Sequence, residues 1–195
     1  MSLSREPQDI VTRTVLNLDT NFSVEIPTRA EFKENTQRDI TSFIDCSKLD
    51  DNKTGAGIVI RTNNTTTIED TVHLGLRATV FQAEVYVVGR AASHLIQCGV
   101  EGKSIIINCD SQTALQALDS NTINYATTLN AVQTLNTLTG NKQMLIRWNP
   151  AQNGFQGNER AGELAKSGVT STDSNSLDLP TPRATWSAAL REKVQ

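Results

Sequence analysis

Three carboxylates stand where patterned segments begin or end. Asp45 lies near the close of a short apolar run, Thr41 to Cys46. Asp110 follows the isoleucine-rich run Lys103 to Cys109. Glu84 falls in the opening turn of a helix-patterned stretch that starts at Val80. Acids gathered at one point repel strongly unless a cation sits between them, and hard oxygen ligands select Mg²⁺ or Mn²⁺ over softer metals. In an open α/β sheet, functional groups collect at the carboxyl ends of strands. Asp45 and Asp110 converge there if their strands are neighbours, and Glu84 joins them if its helix packs over that edge. The plainer reading is also open. Asp110 before Ser111 suits a helix start, and Glu84 suits the positive end of a helix dipole.

The elements that must position these acids follow from periodicity. Thr41 to Cys46 reads as a strand. Gly55 to Ile60 reads as a second, entered through the turn at Asp50–Lys53. Thr65 to Leu74 alternates as a third after the Asn63–Asn64 turn. Short turns make these an antiparallel meander. A helix over Val80 to Cys98 has Val85, Val88, Ala92, Leu95 and Ile96 on one face, and Gly99 stops it. Lys103 to Cys109 is apolar on both faces, as strands covered on both sides are. Ser111 caps a helix through Leu118. Asn121 to Thr139 is a weaker helix with Leu129, Val132, Leu135 and Leu138 as its stripe. Gln143 to Trp148 is the fifth strand, and a last helix opens at Gly157–Asn158 with Asn158 as its cap. The order βββαβααβα predicts an α/β fold: a mixed five-stranded sheet with helices on both faces.

Composition bounds the rest. The chain has 195 residues, enough for one domain with flanking segments. The expected division is a poorly structured linker or polyprotein remnant over 1–38, a compact domain over 39–168, and a flexible tail over 169–195 with a short helix from Ala184 to Val194. A protein that grips nucleic acid by bulk charge alone is usually basic; the net charge of -3 here, from 18 Lys+Arg against 21 Asp+Glu, fits an enzyme of small molecules equally well and does not decide between them. Any such binding must come from local groups and metal ions. Cys46, Cys98 and Cys109 form no C-x-x-C pair, which suits a reduced, intracellular chain, nuclear or cytoplasmic. No apolar stretch approaches a membrane span. Cys46 and Cys109 flank the acids, and strand alternation turns them to the opposite face, where core packing is expected. His73 and His94 read as surface or half-buried histidines, and Trp148 as an anchor for the last strand.

Four ordered motifs carry a resemblance. Phe43-Ile44-Asp45-Cys46-Ser47-Lys48 with the Gly55-Ala56-Gly57 hairpin, Phe81-Gln82-Ala83-Glu84-Val85, Asn108-Cys109-Asp110-Ser111-Gln112, and Arg147-Trp148-Asn149-Pro150 with Gly157-Asn158-Glu159-Arg160-Ala161 together resemble the ribonuclease H family. Their wording is most similar to ribonuclease H domains of non-LTR retrotransposon reverse-transcriptase polyproteins. The resemblance implies the ribonuclease H-like fold and metal-dependent endonucleolytic hydrolysis of the RNA strand of an RNA/DNA hybrid. It implies two Mg²⁺ or Mn²⁺ ions about 4 Å apart, one side preparing the attacking water and the other stabilising the leaving 3′ oxygen. Asp45 would bridge both ions, with Glu84 and Asp110 on the leaving-group side. Ser47, Gln112 and Asn158 are the polar candidates for contacts to the hybrid, whose 2′-hydroxyls distinguish RNA from DNA; capping is their alternative role. A reverse transcriptase is the implied fusion partner.

Two positions depart from the family pattern. Gly162 stands where an Asp is usual, which implies that one metal site is weakened, and Gln152 stands where a loop His is common. Glu159 and Glu163 are neighbours of position 162, but neither is an assured substitute. Three readings therefore stand: an active hybrid ribonuclease, a weakened or inactive hybrid-binding domain, and a structural linker domain in a polyprotein.

Overall fold

The computed structural model describes residues 9, 19–32, 38–49, 51–100, 104–151, 154–170, 177 and 179. Its strands are β1 (Ser23–Glu25), β2 (Ile40–Lys48), β3 (Thr54–Thr62), β4 (Thr65–His73), β5 (Ser104–Cys109) and β6 (Gln143–Trp148). Its helices are α1 (Val80–Gln97), α2 (Gln112–Leu118), α3 (Ala126–Thr139) and α4 (Gln156–Thr170). The sheet order is β1-β6-β5-β2-β3-β4. β2, β3 and β4 form the antiparallel meander, while β2–β5, β5–β6 and β1–β6 pair in parallel. This is the expected mixed α/β, ribonuclease H-like sheet with one strand more than the five expected. The addition, β1, comes from the segment expected to be a poorly structured linker. Three residues, Ser-Val-Glu, are too few to show a pattern, and only pairing with β6 reveals them.

Alternation along the sheet decides what lies on each face. β5 is buried on both, with Ile105, Ile106 and Ile107 all at 0% exposure, as its unbroken apolar run requires. On one face, α1, α2 and α3 cover a large core that includes Ile44, Ile58, Ile107, Val85, Val88, Leu95 and Leu135. On the other, α4 alone packs on β2, β3 and β4, over the small cluster Phe43, Val59, Ala161 and Leu164. That single helix lies directly on the strand backbone. A β-carbon on Gly57 would stand 2.6 Å from Ala165 N and 2.8 Å from Leu164 Cβ, so the glycines of β3 set how closely α4 approaches the sheet. His73 adds a tether at the far end, its Nδ1 donating to the Gly168 carbonyl over 2.8 Å.

The helix ends follow local chemistry where local chemistry exists. Thr79 and Gln82 form a reciprocal capping box at the start of α1, and Gly99 ends it with φ +58°. Ile96, expected on the buried stripe, is exposed. The third helix starts at Ala126, not near Asn121, and its cap Tyr125 offers no side-chain bond. Buried Asp9 supplies one instead, accepting from Thr127 N at 2.9 Å and Thr127 Oγ1 at 2.7 Å. Two residues of the expected flexible tail also make contacts: Leu177 N donates to the His73 carbonyl, and Leu179 is buried. The packing suggested for the segment before residue 19 beyond Asp9, and the helix expected over 184–194, lie outside the described residues.

Candidate active site

The sheet brings the three acids to one edge. β2 and β5 are parallel neighbours in the register Phe43↔Asn108, so two residues further on Asp45 lies level with Asp110. The end of β6 fixes this corner. Trp148 Nε1 donates to the Asp110 carbonyl at 3.0 Å, and Asn149 N donates to the Cys109 carbonyl at 2.9 Å. Trp148 is thus the anchor expected of it. Ser111 caps α2 through Ala114 N, so the helix begins immediately after Asp110. Glu84 arrives from above, in the second turn of α1, and is buried.

The electrostatics are those of like charges held together away from water. Burial, then the charge of Asp110, pushes the Asp45 carboxyl up to about 6; the Cys46 N–H, donating over 2.7 Å, and Lys166 oppose the shift. Burial, then the charges of Asp110 and Asp45, pushes Glu84 up to about 8. Burial also raises Asp110. Such a cluster is relieved by a cation. Ligand atoms of Glu84, Cys109 and Asp110 all lie within 4.8 Å of one another, close enough to share one ion.

Cys109 is the residue that sequence reasoning placed in the core and left out of the site. Alternation does turn it away from Asp45, as expected, and it packs in the large core. That face, however, is the one from which α1 delivers Glu84. The Cys109 thiol donates to Glu84 Oε2 at 3.8 Å, and Cys46 bonds the same carboxylate. Burial pushes both thiols well above their ordinary value. They are therefore neutral S–H groups at neutral pH, which leaves the carboxylate oxygens of Glu84 and Asp110 as the hard donors of that group; Asp45 lies outside it and is coupled to Glu84 and Asp110 by charge repulsion.

The other expected residues separate. Ser47 sits half-buried on β2, on the same face as Asp45, and Gln112 is exposed in the first turn of α2. Asn158 is neither cap nor surface group. The helix begins two residues earlier, at Gln156, and Asn158 is buried with its Oδ1 accepting from Asn149 Nδ2 at 3.3 Å. It ties α4 to the end of β6. Gly162 lies over the acids: a β-carbon there would stand 2.8 Å from Asp45 Oδ2. Glu163 pairs with Arg160, which also grips Glu69, and Glu159 is exposed. Gln152 lies outside the described residues. His94 bonds Asp70 at 2.6 Å beside Arg90, and both histidines are half-buried, as expected.

A family model described as RNase H matches residues 37–170, which spans all three acids and the helix bearing Gly162. The chain belongs to the RNase H family. No curated protein is similar enough in sequence to count as a match. Solved structures share the fold at low identity. The RNase H1 of the halophilic archaeon Halobacterium salinarum is 20% identical with a TM-score of 0.53, covering 67% of this chain and 96% of that one. The N-terminal RNase H domain of a Mycobacterium tuberculosis protein, solved as a fusion with maltose-binding protein, is 15% identical with a TM-score of 0.53, covering 68% and 96%. The foamy viral protease-reverse transcriptase in complex with double-stranded DNA is 19% identical with a TM-score of 0.57, covering 71% and 99%. Among the described residues, no helix is long and apolar enough to cross a membrane.

Proposed function

We propose that this RNase H domain hydrolyses the RNA strand of RNA/DNA hybrids with Mg²⁺ or Mn²⁺ held by Asp45, Glu84 and Asp110. The observation that carries the reading is the meeting of these acids at the ends of β2 and β5 beneath α1, with Glu84 and Asp110 within reach of one ion, burial raising all three carboxyls and neighbouring charge raising Asp45 and Glu84 further. A bound divalent ion would supply Lewis-acid stabilisation of phosphoryl oxygens and a lowered pKa for water. The protein's residues do the rest. Glu84 is held in place by two thiol donors, and the Asp110 main chain is pinned by Trp148. Ser47 and Gln112, two residues beyond Asp45 and Asp110, would meet the hybrid; the exposure of Gln112 on α2 and the shared face of Ser47 and Asp45 on β2 support this. Asn158, the third candidate, is buried and bonded to Asn149. The compact unit proposed is 39–168 with the rest of α4, attached in its natural setting to a reverse transcriptase of retrotransposon type and working inside the cell.

A second reading has its own observation. Gly162 leaves the Asp45 carboxylate facing no acid from α4, which favours a domain that binds hybrid and cuts it slowly. An end-labelled hybrid incubated with Mg²⁺ or Mn²⁺ separates the two. RNA-strand cleavage that disappears in Asp110→Asn supports the ribonuclease; hybrid binding without cleavage supports the weakened domain. A chain that neither binds nor cuts hybrid at low salt excludes both.

A further inference from the structure

The α4 side of the site carries a cation where an acid is absent. Gly162 presents only its Cα to Asp45 Oδ2. Lys166 is four residues further along the same helix, and residues at that spacing share a face. Arg160, the other cation of α4, is held by Glu69 at 2.7 Å and Glu163 at 2.9 Å. Lys166 is exposed and has no ion-pair partner within 4 Å among the described residues. On the Asp45 side Gly162 supplies no carboxylate for a second divalent ion, and the ammonium is the group there that can meet the negative charge of a phosphate.

Resting on the hybrid reading above, we infer that Lys166 contacts the substrate phosphate on the open side of Asp45, and that the centre takes one divalent ion, not two. The ammonium is a point charge with three donors on a flexible stem, suited to holding a phosphate oxygen. It approaches from the side where Gly162 leaves room, while the ion belongs on the opposite side with Glu84 and Asp110.

Two measurements on the full chain test this. Mn²⁺ titration read by electron paramagnetic resonance counts ions: one equivalent is expected, and two of comparable affinity would overturn the single-ion centre. Binding of a fluorescein-labelled hybrid is then followed against salt in EDTA. Lys166→Met should reduce the slope of log affinity against log salt by about one, the signature of one lost phosphate contact. Lys166→Arg should restore it, and Lys142→Met, at the opposite end of the sheet, should leave it unchanged. An unchanged slope in Lys166→Met, in a chain that still binds and cuts hybrid, overturns the Lys166 contact alone. A wild-type chain that binds no hybrid overturns the functional reading, and the phosphate contact falls with it.

Discussion

The two faces of the sheet meet at the same three acids but treat them differently. On the α1 face, Glu84 is buried among Cys46, Cys109 and a large apolar core. On the α4 face, Asp45 looks out at a bare glycine and an exposed lysine. On the first face burial makes the carboxylate costly to ionise alone, a cost that a bound hard cation would offset. The second is open to solvent and to a polyanion. The two faces thus differ in kind: a buried carboxylate with thiol donors on one, a glycine beside an acid on the other.

If the faces differ in this way, changes on the α1 side should be the more damaging. Asp110→Asn is expected to lower the single-turnover cleavage rate by about 10³-fold, the loss of about 4 kcal/mol of transition-state stabilisation; a fall of less than tenfold would mean that both faces contribute alike. The next effect is a pH dependence of stability in EDTA. The folded state keeps Glu84 protonated up to about 8, whereas an unfolded chain releases that proton near 4.5. Between these values the folded state binds more protons, so stability should fall as pH rises, by a few kcal/mol in total. Glu84→Gln should flatten the decline, which denaturant titration at pH 5 and pH 8 will show.

On the α4 side the sensitivity is to geometry. Gly57→Val drives a side chain into the backbone of α4 and should destabilise the fold by about 3 kcal/mol. Gly162→Ala meets only the movable end of Asp45 and should change stability by about 1 kcal/mol or less, in the stabilising direction if Asp45 swings aside. Equal losses in the two variants, compared by thermal melts, would contradict the idea that α4 is fixed at β3 and free over the acids.

The strands and helices that hold the acids were legible because each obeys a local rule. The β5 isoleucines announce a strand covered on both sides, and the α1 stripe predicts its buried face apart from Ile96. What escaped was non-local. β1 exists only by pairing with β6. The start of α3 is set by Asp9, 118 residues away from Thr127. Asn158 looks like a cap from its neighbours, but the chain begins α4 earlier and turns that side chain inward to Asn149. Cys109 was placed on its correct face by alternation; that α1 lays Glu84 on that same face is a fact of packing, which alternation does not contain.

The most direct test of the central claim is the melting temperature of the wild-type chain at pH 8 with and without Mg²⁺. A specific site should raise it by the equivalent of about 2.7 kcal/mol at a hundredfold excess over the dissociation constant, and Asp110→Asn should lose that rise. A melting temperature indifferent to Mg²⁺, or one that rises equally in Asp110→Asn, would show that the three acids do not hold a divalent ion.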